Sequence, residues 1–143
     1  AARPWTWRGR SEHGRAPAVR RNGRVPIAHE VSVIIPTLNR RDLLVRAVAS
    51  CVAQKNLRGE VIVVDDGSTD GTREAIEAGA FIRGDWEVRY EIQARQGACV
   101  ARNRGLAVAD GEFVKFLDSD DELLAGVLSE EDVKALNSLL KKD

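Results

Sequence analysis

Six carboxylates fall in two short stretches of the chain, Asp65-Asp66-Gly67-Ser68-Thr69-Asp70-Gly71-Thr72 and Asp118-Ser119-Asp120-Asp121. Clustered carboxylates repel one another unless a cation neutralises them. Oxygen-only ligation with few protein carboxylates suits Mg²⁺ or Mn²⁺, with phosphate oxygens completing the shell. A third polar segment, Arg95-Gln96-Gly97, leads into a helical pattern. There, free backbone N–H groups and the positive helix end would be aimed at an anion. Together the three segments predict a site for a divalent metal and a phosphorylated ligand. Each also has a plainer reading. Ser119 with Glu122 forms a capping box for a following helix, and residues 65–72 are good turn chemistry.

The elements that would carry these segments follow from the apolar pattern. Residues 31–35 and 60–64 are short β-branched runs of buried-strand length, residues 86–92 alternate, and residues 112–117 give a fourth strand. Between them Asn39 can cap a helix with Asp42 in its first turn and Leu44, Val48, Cys51 and Val52 at helical spacing. A short helix over 70–79 ends at Gly79. A helix over 96–109 carries a stripe of small residues, Ala98, Ala101, Gly105 and Val108, that lets it lie close on a sheet. A last helix is predicted from about Glu122, with Val133, Leu136, Leu139 and Leu140 as its packing face. The order βαβαβαβ predicts an α/β, Rossmann-like fold: a mainly parallel sheet with right-handed crossovers and helices on both faces. Such sheets bind ligands outside the carboxyl ends of the strands, where strand order reverses. Pro36-Thr37-Leu38-Asn39 and both acidic stretches follow predicted strands, so all three belong to that edge.

Composition narrows the alternatives. The chain has 143 residues, 43% of them apolar, and a formal net charge of zero. That is one domain, large enough to bury a core without disulfides or metal staples. Neutral overall charge argues against a protein that coats nucleic acid. The apolar runs are too short to span a bilayer, and no secretory series opens the chain, so a soluble chain is expected. Cys51 and Cys99 lie 48 residues apart without a CxxC pair, and the histidines are His13 and His29 alone. Zinc and thiol-disulfide chemistry are therefore not expected, and both thiols are read as reduced and largely buried. Residues 1–24 hold seven arginines against one acid, Glu12, a charge of +6 that leaves −6 on residues 25–143. With its prolines and glycines, the stretch 1–26 reads as a disordered basic arm or leader, and residues 27–143 as the folded domain. No methionine occurs at position 1, so a processed chain or a fragment is expected. No GxxxxGK[ST] or GxGxxG is present. The loop after the first strand carries Pro36-Thr37 where a receiver domain or a haloacid-dehalogenase-type phosphatase would carry its acids.

The runs VSVIIPTLN (31–39), VIVVDDGSTD (61–70), Gly97 with Ala101-Arg102-Asn103-Arg104-Gly105, and Gly111-Glu112-Phe113 leading to FLDSDD (116–121) closely resemble the family 2 inverting glycosyltransferases of GT-A fold. The resemblance spans about residues 30–128. It implies a nucleotide-diphosphate-sugar donor, UDP-sugar favoured, a divalent Mn²⁺ or Mg²⁺, and inverting transfer to the hydroxyl of a glycan or other acceptor, with no nucleic-acid partner. By resemblance, Pro36 and Thr37 lie along the nucleotide and Asp66 meets the base. Asp118 and Asp120 form the DxD motif and are the metal-site residues, the first usually facing the ribose as well and the second binding the metal. Gly97, Arg102 and Asn103 match the donor-side helix, and Asn39 and Ser119 complete the donor-binding set. Arg102 also has a plainer reading, as a helix-to-sheet-edge ion pair. Family members continue well past the DxD motif, so the domain is expected to lack the acceptor-binding half and its catalytic base. No base is assigned to Glu130, Glu131 or Asp132. The resemblance places the chain in the cytoplasm or peripheral to the membrane. An uncovered apolar face, open to self-association, is expected. The alternative is a truncated or non-catalytic module that binds a nucleotide or nucleotide-sugar.

Overall fold

Strand pairing carries the apolar runs one or two residues further than hydrophobicity alone suggests. The computed structural model describes residues 29–79 and 86–128. In it β1 spans His29–Thr37, β2 Gly59–Asp65, β3 Trp86–Ile92 and β4 Gly111–Phe116. The helices are α1 (Arg41–Val52), α2 (Thr72–Ala78) and α3 (Ala98–Val108). All four strands are parallel, in the order β3-β2-β1-β4. Pairs such as Val33 with Val61 and Ile34 with Phe116 fix the register. The chain therefore builds outward from β1 through β2 to β3, then returns to the other side of β1, and the order reverses between β1 and β4.

Period-two alternation within the strands sends successive side chains to opposite faces. Val33, Ile35, Val61 and Val63 pack on one face with Leu44, Val48 and Cys51 of α1 and Ile76 of α2. Ile34, Ile62 and Val64 pack on the other with Ala101 and Val108 of α3. Helices thus cover both faces, as the element order predicts. The small-residue stripe has a steric reason at Gly105, where an added Cβ would lie 2.5 Å from Cγ2 of the buried Ile34. Ala98 departs from the stripe and is exposed. Edge strand β4 leaves Val114 and Phe116 exposed, at 40% and 45%. No helix among the described residues is long and apolar enough to cross a membrane.

The starts of the strands are joined by a buried charge cluster that the sequence reading missed. His29 Nδ1 donates to Asp110 Oδ1 at 2.6 Å, and lies 3.3 Å from Glu60 Oε2. Arg89 Nη2 reaches Glu60 Oε2 at 3.1 Å and Asp110 Oδ2 at 3.0 Å, while its Nη1 donates to the Val108 carbonyl. Ser32 Oγ donates to Glu60 Oε1, which also accepts the Asp110 N–H. Strands β1, β2 and β3 and the α3–β4 connection contribute to the cluster, so it fixes the C-terminal end of α3 to the sheet.

Three expectations are corrected. Asn39 does not cap α1: it sits in the left-handed region at φ 50°, and its Oδ1 accepts the Thr69 N–H at 2.8 Å. The helix instead starts at Arg41, whose N–H donates to Asp70 Oδ2 from the neighbouring loop. No helix starts at Glu122 within the described residues. The segment after Asp121 finds other backbone partners, with Leu123 N–H donating to Ser50 Oγ and Gln54 Nε2 to the Leu124 carbonyl. Cys51 is buried, but Cys99 is exposed, because α3 packs through Ala101, Gly105 and Val108 and Cys99 lies off that face. The basic arm over 1–26, the helical packing face from Val133, and Glu130, Glu131 and Asp132 lie outside the described residues.

Candidate functional site

The reversal of strand order opens an open-mouthed cleft of about 490 Å³ between the carboxyl ends of β1 and β4. Of the residues singled out from sequence, Pro36, Thr37, Asp66, Gly97, Arg102, Asp118, Ser119 and Asp120 line it. Asn39 and Asn103 do not. Asn39 ties its loop to Ser68 and Thr69, and Asn103 is exposed on α3.

One wall comes from β2 and the turn into α3. Asp66, 6% exposed, accepts hydrogen bonds from Gln93 Nε2 at 2.9 Å, the Gln96 N–H at 2.8 Å and the Gly97 N–H at 3.1 Å. These donors, Gln93 foremost, hold its carboxyl below the usual range. Asp66 is therefore an ionised, acceptor-only group at neutral pH. The Gln96 and Gly97 N–H groups of the Arg95-Gln96-Gly97 turn, expected to be aimed at a bound anion, are thus spent on the chain's own Asp66. Gly97 makes this possible with φ 96°, a conformation that a side chain would strain. Asp65 faces the other way: its Oδ1 accepts the Ser68 N–H at 2.8 Å and its Oδ2 the Tyr90 hydroxyl. It shapes the loop and does not line the cleft.

The opposite wall follows β4. Asp118, Asp120 and Asp121 bring carboxylate oxygens within 4.8 Å of one another, all on exposed side chains. Three hard oxygens at this spacing could hold a divalent metal ion. The buried His29, Glu60 and Asp110 are as closely grouped, but they lie away from the cleft, and Arg89 forms ion pairs with both carboxylates there. Arg40 Nη1 lies 3.0 Å from Asp120 Oδ2, and Arg102 Nη2 lies 3.5 Å from Asp118 Oδ1. The second is the helix-to-sheet-edge ion pair anticipated for Arg102.

The floor is the end of β1, where Thr37 is 4% exposed and its Oγ1 has no hydrogen-bond partner among the described residues. A buried hydroxyl left unpaired is costly unless something else supplies the bond. One charged lining residue was missed from sequence. Arg40 reads as an ordinary basic residue ahead of a helix, although its place just past a strand end at the ligand edge was a usable signal. Asp121, read with the acidic stretch but left out of the DxD pair, does not line the cleft but brings its carboxylate within 4.8 Å of those of Asp118 and Asp120.

A parallel α/β sheet with an ionised acceptor on one wall of its switch-point cleft and an acidic trio on the other is a Rossmann-like, ligand-binding architecture. The family model for glycosyl transferase family 2 matches residues 32–131. A β-1,3-glucosyltransferase of Campylobacter jejuni, acting by its name on GalNAc(5)-diNAcBac-PP-undecaprenol, is 42% identical over 102 residues, 70% of this chain and 32% of its own. The mannosyltransferase PcManGT of Pyrobaculum calidifontis, solved with GDP-Man and Mn²⁺, superposes with a TM-score of 0.62 at 34% identity, over 68% of this chain and 29% of that one. TarS 1-349 of S. aureus, solved with UDP-GlcNAc, gives 0.58 at 31% identity, over 79% of this chain and 31% of that one. The chain belongs to glycosyl transferase family 2, with the GT-A fold. It spans about a third or less of the length of the curated relatives it matches.

Proposed function

We propose that this chain is the donor-binding part of an inverting glycosyltransferase, and that its cleft takes a nucleotide-diphosphate-sugar, UDP-linked in first preference, together with Mn²⁺ or Mg²⁺. The observation that carries the reading is the pairing of two unlike walls across one cleft. Asp66 offers an ionised acceptor on one side, and Asp118 and Asp120, with Asp121 within reach, offer hard oxygens on the other. A cleft of about 490 Å³ lies within the roughly 300–1,000 Å³ usual for small-molecule sites. The unpaired Thr37 hydroxyl on the floor needs a partner that a nucleotide can supply. The neighbours solved with UDP-GlcNAc and with GDP-Man and Mn²⁺ support this ligand class.

In this reading Asp66 accepts an N–H from the base edge, Pro36 and Thr37 lie along the nucleoside, and Asp118 and Asp120 hold the cation. Gly97 places Asp66 as well as lining the cleft. Arg102, from α3, brings positive charge to the side where the diphosphate would lie. The cation, when bound, neutralises charge that develops on the leaving diphosphate. The acids lining the cleft are all given donor-side roles, so no base is assigned and the proposal concerns donor binding. The acceptor would be a hydroxyl compound. One linked to a lipid, as the Campylobacter relative's name describes, would be met at the cytoplasmic membrane surface.

Calorimetry with UDP, with and without Mn²⁺, tests the reading. UDP is expected to bind at least tenfold tighter with Mn²⁺ present, since a coupling of about 1–3 kcal/mol is typical of linked sites. Asp120→Ala should remove that gain. UDP affinity that ignores Mn²⁺ in the parent, or a gain that survives in Asp120→Ala, would overturn the assignment.

A further inference from the structure

Both carboxylates of the acidic wall that line the cleft are already paired, and with arginines that line it from other elements. Arg40, just ahead of α1, lies 3.0 Å from Asp120 Oδ2, and Arg102 of α3 lies 3.5 Å from Asp118 Oδ1. Arg40 and Asp120 are each about half exposed, at 49% and 48%, so neither is locked by packing.

A guanidinium and a divalent cation cannot share one carboxylate oxygen cheaply. A cation ligated there would sit about 2.1 Å from the oxygen, and the guanidinium would then face two positive charges at close range. With Asp118, Asp120 and Asp121 against Arg40 and Arg102, the wall carries a formal charge of −1 in the absence of ligands, and a lone divalent cation would turn it to +1. A diphosphate entering with the cation restores the balance. It also offers a planar guanidinium the bidentate oxygen geometry it pairs with best.

We infer that Arg40 is an exchangeable counter-ion for Asp120: it covers that carboxylate while the cleft is empty, opposes a cation arriving alone, and turns to the diphosphate when cation and nucleotide enter together. Arg40 is thus a positioning residue that makes the two ligands depend on each other. This rests on the donor-binding reading above and adds to it the residue that couples the two ligands.

The test compares the full chain with Arg40→Gln and Arg40→Lys, measuring Mn²⁺ alone by the electron spin resonance of the free ion and UDP with and without Mn²⁺ by calorimetry. An exposed pair is worth little, so Arg40→Gln should bind Mn²⁺ alone only about two- to fivefold tighter. The same variant should bind UDP in the presence of Mn²⁺ about tenfold more weakly, because a charge-assisted bond to phosphate is lost. Arg40→Lys keeps the charge but not the fork, so it should match the parent for Mn²⁺ alone and fall between the two for UDP with Mn²⁺. Opposite signs in one variant are something a loss of folding would not produce. Arg40→Gln binding Mn²⁺ alone no more tightly than the parent overturns the counter-ion role. Unchanged UDP affinity with Mn²⁺ overturns the exchange. A parent that binds neither ligand removes the donor-binding reading itself, and this inference with it.

Discussion

Replacing His29 by Gln takes a titrating proton out of the buried cluster at the strand starts, and the consequence for stability can be worked from the structure. Burial by itself would push the His29 pKa down. Hydrogen bonds to Asp110 and Glu87, with the charges of Asp110 and Glu60, overcome it and raise the value from 6.5 to about 9. The groups facing the ring are Glu60 from β2, Glu87 and Arg89 from β3, and Asp110 from the α3–β4 connection. Glu60 is fully buried, and its carboxyl is pushed up by that burial against the pull of Arg89 and Ser32. Burial opposes ionisation of Asp110 too, but the bond from His29 leads the interactions that hold its carboxyl low. The raised His29 and the lowered Asp110 are two views of one interaction and are counted once.

Because the folded pKa of His29 lies above the unfolded one, its contribution to stability is full below pH 6.5 and is lost as pH rises through about 9. At about 1.36 kcal/mol per pH unit the ceiling is roughly 3 kcal/mol. Glu87 is half exposed, so solvent screens its part, and about 1–2 kcal/mol is the expected size. For a domain of this length that is a fall in Tm of about 3–8 °C. The assay is thermal unfolding of the parent and His29→Gln at constant ionic strength from about pH 6 to pH 10. The parent should start higher and converge on the variant near the alkaline end, while the titration of other groups cancels in the difference. Curves that stay parallel across the window would show that the cluster does not hold the His29 proton, and the reasoning would fail.

Two further outcomes follow from individual residues. An ionised Asp66 can only accept, so bases with a ring N–H on their pairing edge, uracil and guanine, suit it, whereas cytosine has a bare ring nitrogen there and must turn its exocyclic amine to the carboxylate instead. CDP should bind roughly tenfold or more weakly than UDP in Mn²⁺, and equal affinities by calorimetry would count against a base contact at Asp66. Gly105→Ala would bring a Cβ to 2.5 Å from the buried Ile34, and overpacking of that kind costs about 1–3 kcal/mol. Urea unfolding should show a lower midpoint with an unchanged slope, and an unshifted midpoint would mean that α3 can move off the sheet freely.

What the sequence discloses here depends on how locally each feature is written. The strands were legible because 31–35 and 61–64 are β-branched runs whose every residue is buried, and their ends were not, because pairing extends past the apolar residues to His29, Thr37 and Asp65. The cleft was largely legible for a similar reason. Its walls are short contiguous runs following strands, and a parallel sheet delivers all such runs to one edge whatever the packing beneath. Features made between distant segments were hidden. Asn39 looks like a cap when read alone, and only the neighbouring loop, with Ser68, Thr69 and Asp70, shows it to be a staple and gives Asp70 the capping role. The charge cluster is the extreme case, since His29 and Asp110 are 81 residues apart and meet only through the strand register. One signal was available. Glu60 sits ahead of the apolar run of β2, and a charge in a fully buried strand must find hydrogen-bond donors or a partner of opposite sign. Arg89, on the strand that pairs with β2, met that need. The same accounting, applied at the ligand edge, singles out Arg40: an arginine beside unneutralised acids belongs to the site even where no motif names it.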